Sequence, residues 1–468
     1  MDAARCIERA WSLALEVGVA VAMSVQGTVT QANREQRISG RRPSSSTGPR
    51  TRPWLIDLVR SITRRPERSS TSASKPAVSD ATAPVQTVAG VGPVRDIAMS
   101  SDGRFAYVAA SLGTDRWAVK VVDTETNAVI TTVEGLANVV PTSLAASLDS
   151  SRLYIADGDA CAIRVVDISA GSQTRNRVVD SLPLEGSLPV GYGTPTAIAL
   201  SPNGSRLYAL MTGLAVLIVD PRTRVLVGTV SGGDSVAMFS AGERIYVCAD
   251  DRLGHTNVTA GVVTLEADTG QEIGSFGLND APAFIRQPIL AGSSGQLYLD
   301  IDDLDGCLEV VDTSTLNVVA RIRIEASMDH QLRSIPAAAV LSPDGRSLYV
   351  ANQGVQLSSD EAMEVSWVSV IDTRLNEVIH DIVLPQDGIG ECRGANPQFI
   401  AVSPAGNRLV VVSEYGIASI IDVPSKSVVG TAILGAPTDQ PRVVIVNPAR
   451  NAVYVGTTGD AGLNVIPL

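Results

Sequence analysis

The chain of 468 residues has few of the side chains that disulfides and metal centres require. It contains five Cys and three His. Five Cys in so long a chain exclude a small disulfide-stapled scaffold, and three His leave little for metal chemistry. Lys is scarce too, since Lys75, Lys120 and Lys426 are the only ones in the sequence, and nearly every positive charge is an Arg.

Sequence motifs of phosphate binding and nucleophilic catalysis are also missing. No Gly-rich loop follows a strand and opens a helix, and no nucleophile elbow is present. The sequence has no vicinal Cys pair, and none of its His stands out as an axial ligand. We therefore expect no cofactor, and a binding function is preferred to an enzymatic one.

The charge is divided between a basic head and an acidic body. Residues 33–70 hold ten Arg against three acids, a local balance of +7, whereas residues 71–468 carry −18. The whole chain carries −12, which argues against nucleic acid as a partner because such binding needs a basic surface. Binding by the Arg-rich head alone is the weakest of three functional alternatives. A hydrophobic content of 45% excludes a mainly disordered chain.

The first 32 residues resemble an export signal. Trp11 to Val25 is an apolar stretch of signal-peptide length, and Thr30-Gln31-Ala32 offers small residues for cleavage. Glu16 interrupts the stretch, which leaves open an uncleaved membrane anchor or a misplaced start codon. We expect a secreted or cell-envelope protein, with the cytoplasm as the alternative.

Residues 33–83 form a basic linker rich in Arg, Ser and Pro, a composition typical of disorder. Within it, residues 53–65 predict a short amphipathic helix, because Leu55, Leu58, Val59 and Ile62 share one helical face. This segment contacts an anionic membrane surface in one interpretation. In the preferred interpretation it docks on the body or forms a helix only transiently.

A repeat begins near Pro93, and a tyrosine at one position marks its units most regularly. Each unit is an apolar strand, a tight turn, a strand starting Leu-Tyr-Val, a loop, a strand ending Val-Val-Asp, a turn and a final strand. The turns contain Asx and Gly residues, as tight hairpins require. The second-strand residues of the eight units are Tyr107, Tyr154, Tyr208, Tyr246, Tyr298, Tyr349, Val410 and Tyr454.

An acid ends the third strand of most units and is interpreted as a turn cap rather than a catalytic group. These acids are Asp123, Asp167, Asp220, Glu266, Asp312, Asp372 and Asp422. Units of about 38 to 61 residues suit four-stranded blades. The eighth unit lacks its fourth strand, and residues 85–90 supply an orphan one that closes a ring. Residues 84–468 are thus predicted to be an all-β closed β-propeller of eight blades, with seven as the alternative.

The repeats resemble the YVTN β-propeller repeat family, which includes surface-layer proteins. The resemblance rests on Tyr349-Val350-Ala351-Asn352, on Val368 to Thr373 and on Val121 to Ile130. It covers about residues 84–468 and implies the fold, and it mildly supports export. It implies no catalytic motif, and many members are counted as seven-bladed.

Loops of this fold lie on two faces, and the long ones here share one face. They connect second to third strands or one blade to the next, and a rigid scaffold with such loops is typical of binding proteins. We call this side the loop face and the opposite side the turn face. The predicted loops are Ser111–Trp117, Leu184–Thr194, Ala249–Gly261, Glu325–Ile335, Asn352–Val365 and Pro385–Asn396.

The innermost strands predict a ring of mostly polar side chains where the central channel opens on the loop face. Twelve residues before each second-strand position stand Arg95, Thr142, Thr196, Asp234, Arg286, Ala337, Gln398 and Arg442. Three Arg in one ring favour an anionic ligand, through charge-assisted hydrogen bonds. A water-filled channel whose mouth merely needs solvated side chains is the alternative.

Two further patterns in the sequence are weaker indications of a functional site. Asp300 to Gly306 is acidic enough to suggest Ca²⁺, but its spacing misses an EF-hand loop and favours a solvated loop. Asp329 and His330 are candidates for a lactonase-like hydrolase, together with Asp234 and Arg286. The preferred function is a non-catalytic, monomeric scaffold that binds a protein or a small anionic ligand on its loop face.

Overall fold

The computed structural model describes most of the chain from residue 84 onward. The described ranges are 84–113, 116–184, 193–212, 215–231, 235–241, 243–250, 261–277, 285–291, 295–301, 306–325, 333–357, 362–385, 396–436, 438–460 and 462–468. The predicted signal (1–32), linker (33–83) and amphipathic segment (53–65) lie outside them. Within the described ranges there is no helix long and apolar enough to cross a membrane.

The described chain forms strands in an order that repeats along the sequence. After β1 (Gln86–Val88), blade 1 comprises β2 (Val94–Met99), β3 (Phe105–Ser111), β4 (Trp117–Asp123) and β5 (Ala128–Thr132). Blade 2 comprises β6 (Pro141–Ala146), β7 (Arg152–Asp157), β8 (Ala162–Asp167) and β9 (Arg177–Pro183). Blade 3 comprises β10 (Pro195–Leu200), β11 (Leu207–Met211), β12 (Ala215–Asp220) and β13 (Val225–Ser231). Blade 4 comprises β14 (Ser235–Ala241), β15 (Arg244–Asp250), β16 (Gly261–Glu266) and β17 (Glu272–Gly277).

The second half of the chain continues the same pattern. Blade 5 comprises β18 (Ile285–Ala291), β19 (Gln296–Ile301), β20 (Cys307–Asp312) and β21 (Asn317–Arg323). Blade 6 comprises β22 (Arg333–Leu341), β23 (Ser347–Leu357), β24 (Ala362–Asp372) and β25 (Glu377–Val383). Blade 7 comprises β26 (Pro397–Val402), β27 (Arg408–Ser413), β28 (Ile417–Asp422) and β29 (Ser427–Ile433). Blade 8 comprises β30 (Pro441–Asn447), β31 (Ala452–Thr457) and β32 (Leu463–Pro467), with β1 as its fourth strand.

The eight sheets close into a ring, which confirms the predicted eight-bladed propeller and excludes seven blades. The first strand of every blade contacts the first strands of both neighbours, including β30 with β2. The N-terminal strand β1 pairs antiparallel with β32, with Thr87 opposite Asn464. The Thr87 hydroxyl also donates to Asn464 Oδ1 at 2.9 Å. Closure therefore joins the two ends of the described chain.

The apolar core lies between neighbouring blades. One cluster joins blades 1 and 2 through Tyr107, Val121, Leu144 and Ile155, and another joins blades 8 and 1. The outermost strands face solvent, as the exposed residues of β5 show. Because each sheet buries both faces against its neighbours, every blade depends on the next one for stability.

The acids at the ends of the third strands cap turns, as predicted. Asp312 Oδ1 accepts from the backbone N–H groups of Ser314 at 2.9 Å and Thr315 at 2.8 Å. These hydrogen bonds, with that of the Ser314 hydroxyl, lower the pKa of Asp312 to about 2. Asp123, Asp220 and Asp372 end the third strands of blades 1, 3 and 6. Each accepts a hydrogen bond from the backbone N–H of the residue two positions later.

The predicted loop Asn352–Val365 is wrong in its extent. β23 continues to Leu357 and β24 begins at Ala362, and these two residues pair. β22 is lengthened as well, since Arg333 pairs with Val355. Val355 and Leu357 alternate with polar residues, a strand pattern that continues past the expected end of the blade. Blade 6 thus extends further than its neighbours on the loop face.

Candidate functional site

The predicted ring residues lie at β-bulges at the loop-face ends of the inner strands. In seven blades the pairing of first and second strands shifts at this point, as between Val94 and Asp96 around Arg95. A bulge leaves one residue out of the ladder and redirects its side chain. The residues passed over include Arg95, Thr142, Thr196, Arg286, Ala337, Gln398 and Arg442. Asp234 lies outside the described residues.

A proline precedes the bulge in five blades, and this signal could have been found in the sequence. Proline has no N–H to donate and is found in sheets at edges, strand starts and bulges. In each of these blades the ring residue follows the proline directly. The prolines are Pro141, Pro195, Pro336, Pro397 and Pro441.

Arg95 is held in place from two sides. Its guanidinium carbon lies 4.3 Å from the centre of the Trp117 ring, and its Nη1 donates to Pro141 O at 3.4 Å. Burial lowers the pKa of Arg95, the charge of Arg442 lowers it further, and Asp159 acts in the opposite direction. Arg95 and Arg442 lie at equivalent positions in β2 and β30, the first strands of blades 1 and 8, which contact each other.

Arg442 is the exposed member of this pair. Within the described ranges it forms no ion pair with an acid. Arg95 and Arg442 together concentrate positive charge at one point of an acidic body. Two such side chains can bind an anionic group, because each guanidinium offers several hydrogen-bond donors in a geometry that fits a carboxylate or a phosphate.

The two threonines of the ring use their hydroxyls within the protein. Thr142 Oγ1 donates to Pro195 O of the next blade at 2.7 Å. Thr196 is buried and donates to Leu210 O at 3.2 Å. The first of these hydrogen bonds joins blades 2 and 3, and the second lies within blade 3. Gln398 is half-buried on β26, and Ala337 brings no polar group to the ring.

The other sequence candidates are only partly described. Arg286 lies in β18, but its side chain is outside the described set, as are Asp329 and His330. Of the acidic segment that begins at Asp300, residues 302–305 lie outside the described ranges. Across the described part of the chain, no group of three His, Cys, Asp or Glu could hold a metal ion.

Asp96, which the sequence did not single out, links the first two blades beside the ring. Its Oδ2 accepts the backbone N–H of Leu144 in blade 2 at 2.7 Å, and its Oδ1 accepts that of Ile97 at 2.8 Å. Burial raises the pKa of Asp96 to about 6 against these hydrogen bonds. Ser143 repeats the link one blade on, where its Oγ accepts from Ile198 N at 3.3 Å.

Asp96→Asn is expected to gain stability relative to the wild type as the pH rises. The pKa of Asp96 in the folded protein is about 6, above the ordinary value near 3.9, so its ionisation destabilises the fold between about pH 4 and pH 6. The difference in unfolding free energy between variant and wild type should therefore grow by about 1–3 kcal/mol from pH 4 to pH 7.5. Urea unfolding of both proteins at the two pH values measures it.

Asp312→Asn is the matched control for this prediction. The pKa of Asp312 is lowered rather than raised, so its ionised form stabilises the fold above about pH 4. The variant should therefore be less stable than the wild type by a nearly constant amount from pH 4 to pH 7.5, so this difference, unlike that of Asp96→Asn, should not grow with pH. Parallel pH profiles for wild type and Asp96→Asn would contradict the raised pKa of Asp96.

One comparison with known proteins, that with a curated β-propeller protein, agrees with the fold. No protein-family model matches the chain. The seven-bladed beta-propeller protein Rv1057 of Mycobacterium tuberculosis is 30% identical over 184 residues, which are 37% of this chain and 41% of that protein. The chain thus matches about two fifths of the length of this curated relative. A solved structure, hydrazine synthase of Kuenenia stuttgartiensis, is 17% identical with a TM-score of 0.48, over 81% of this chain and 97% of that chain.

Proposed function

We propose that this β-propeller is a non-catalytic binding scaffold that holds an anionic group at the channel mouth on its loop face. The anion belongs to a small ligand or to an acidic segment of a protein. The single observation that carries the proposal is that Arg95 and Arg442 lie at the bulges of β2 and β30, two neighbouring inner strands that contact each other. We also propose that the chain is an exported or cell-envelope member of the YVTN-repeat propellers.

The two guanidinium groups repel each other, and an anion between them relieves that repulsion. Arg95 is fixed by Trp117 and by Pro141 O, so little side-chain entropy is lost when it binds. Arg442 is exposed and supplies a second set of donors. A ligand carboxylate or phosphate can therefore form charge-assisted hydrogen bonds with both.

The scaffold around the pair is rigid, and the loop face offers a larger contact area. The inner strands are tied across blades by the hydrogen bonds of Asp96 and Thr142. Blade 6 extends on the same face through the paired strands β23 and β24. Binding sites are commonly built from such extensions on a rigid framework.

Arg442→Gln is expected to weaken anion binding at least tenfold. Acetate, succinate and citrate serve as probes of increasing charge, and isothermal titration calorimetry measures their affinities. Loss of one charge-assisted contact corresponds to about a tenfold change. Arg374→Gln is the control, since Arg374 is exposed on the turn face and has the same charge. Equal affinities for wild type and Arg442→Gln would refute the site.

The non-catalytic part of the proposal has its own test. A panel of lactones incubated with the full-length protein should show no turnover above the rate in buffer. Hydrolysis that disappears in Asp234→Asn or His330→Gln would instead support a lactonase-like hydrolase. Anion binding measured on the same preparations would show whether the channel mouth is intact, independently of any hydrolysis.

A further inference from the structure

The turn face has a gap between blades 2 and 3. At two other junctions between neighbouring blades, the turns that join first and second strands are in contact. The Ser101 and Ser150 hydroxyls are 2.7 Å apart between blades 1 and 2, and Asn447 Nδ2 donates to Gly103 O at 2.7 Å between blades 8 and 1. By contrast, a Cβ placed on Gly204, in the equivalent turn of blade 3, would meet no heavy atom within 4 Å.

A cleft of about 580 Å³ lies at this gap. It is bounded by the first turns of blades 2 and 3, by the outer strand of blade 2 and by the last turn of blade 3. Its apolar side chains include Leu148, which is 68% exposed, and Val179, which is 43% exposed. Val165 and Leu200 line it as well. The cleft is distinct from the channel mouth, which opens on the other face.

Tyr154, at the repeat position of blade 2, lines the cleft instead of linking two blades. In three other blades this tyrosine reaches an acceptor in the next blade. Tyr208 donates to Ala267 O at 2.8 Å and Tyr454 to Asn127 Oδ1 at 2.8 Å. The Tyr298 hydroxyl lies 3.2 Å from Asn376 Oδ1 of the next blade and 2.9 Å from Gln296 Oε1 of its own. Among the described residues the Tyr154 hydroxyl has no such partner, although only 8% of the residue is exposed.

The acids that line the cleft are already satisfied. Asp149 Oδ1 accepts from the Ser147 hydroxyl at 2.6 Å and from Ser151 N at 2.9 Å. Asp180 forms an ion pair with Arg224 at 2.5 Å. Neither carboxylate therefore needs a further donor from a ligand.

The polar groups left without partners are donors. Arg222 is exposed and forms no ion pair within the described part of the chain. Burial raises the pKa of Tyr154, the charges of Arg152 and Arg222 lower it, and that of Asp149 raises it. Arg152 itself pairs with Asp167 at 3.1 Å. A ligand that supplies acceptors rather than donors fits this surplus.

We propose that the cleft between blades 2 and 3 binds a small carboxylate with an aliphatic body. The carboxylate accepts from the Tyr154 hydroxyl and the Arg222 guanidinium, and the aliphatic part packs on Leu148 and Val179. Specificity requires both contacts. The apolar side chains alone would bind any short aliphatic chain, and the donors alone would bind any anion. The site goes beyond the proposed scaffold function and does not depend on it.

Hexanoate is the probe for this site, tested on Arg442→Gln protein so that the channel mouth does not contribute. By calorimetry, hexanoate should bind at least fivefold more tightly than hexan-1-ol or hexylammonium. Adding Tyr154→Phe or Arg222→Gln should each weaken hexanoate binding five- to tenfold. Adding Tyr298→Phe or Arg374→Gln, which change equivalent residues in other blades, should leave it unchanged.

Thermal unfolding supplies a readout that needs no ligand. Tyr298→Phe breaks a link between blades and should lower the unfolding midpoint by about 1–3 °C. Tyr154→Phe breaks none and should leave the midpoint unchanged. The proposal is overturned if hexanoate binds no better than hexan-1-ol, or if Tyr154→Phe and Arg222→Gln bind it like the parent. A midpoint for Tyr154→Phe as low as that of Tyr298→Phe would also overturn it.

Discussion

A chain shortened to begin at residue 92 is expected to be less stable by about 3–6 kcal/mol than one that begins at residue 84. The difference between the two is the closing strand β1 and the turn after it. Val88 and Val91 are each 1% exposed, and burying a Val contributes about 1.5–3 kcal/mol. Lys120 Nζ also donates to Val91 O at 2.9 Å, and Asn127 Nδ2 donates to Gln86 Oε1 at 2.9 Å.

Urea unfolding and size-exclusion chromatography of the two truncated chains measure this effect. The chain that begins at residue 92 exposes the edge of β32, and unpaired edges promote association. A synthetic peptide of residues 84–91 should restore both stability and monomeric elution when it is added in excess. If the two truncated chains unfold at the same urea concentration, ring closure by β1 contributes nothing.

Arg164→Met is expected to cost about 3–5 kcal/mol of stability, because it leaves a buried carboxylate without its partner. Asp157 is completely buried and accepts from Arg164 Nε at 2.9 Å and from Nη2 at 2.7 Å. Arg164 Nη1 donates to the Ser181 hydroxyl at 3.1 Å, which fixes its position across blade 2. The free energy of unfolding in urea at pH 7.5 measures the loss.

Arg177→Met is the control in the same blade. Arg177 pairs with Glu134 at 3.0 Å, but both side chains are more than half exposed, and such pairs contribute about 0–1 kcal/mol. The double variant Asp157→Asn, Arg164→Met should recover part of the loss, since no charge then stays buried. Equal losses for Arg164→Met and Arg177→Met would show that burial of Asp157 is not the cause.

The fold could be predicted from the sequence because its determinants are local and repeated. The tyrosine that repeats in the second strand predicted the number of blades. The unpaired strand before residue 91 predicted how the ring closes. Asp123, Asp312 and Asp372 were predicted as turn caps, and each accepts from the backbone of its own turn. Such features need only a few neighbouring residues, which a single repeat contains.

The details of the two sites depend on distances between blades, which the repeat pattern does not encode. The sequence singled out Arg95 and Arg442, but it did not show the bulges at which they lie. Burial raises the pKa of Asp96, whereas its hydrogen bond from Leu144 N in blade 2 lowers it. The cleft beside Tyr154 exists because two turns stand apart, although the sequence of blade 2 gives the same tyrosine as the other blades.

The arginine pair at the channel mouth is tested most directly by the crystal structure of the protein soaked with citrate. The proposed function predicts a carboxylate between Arg95 and Arg442, with oxygens at about 2.7–2.9 Å from both guanidinium groups. Arg95 should keep its position on the Trp117 ring. A mouth without bound citrate at a saturating concentration, or citrate bound only elsewhere on the propeller, would contradict the proposal.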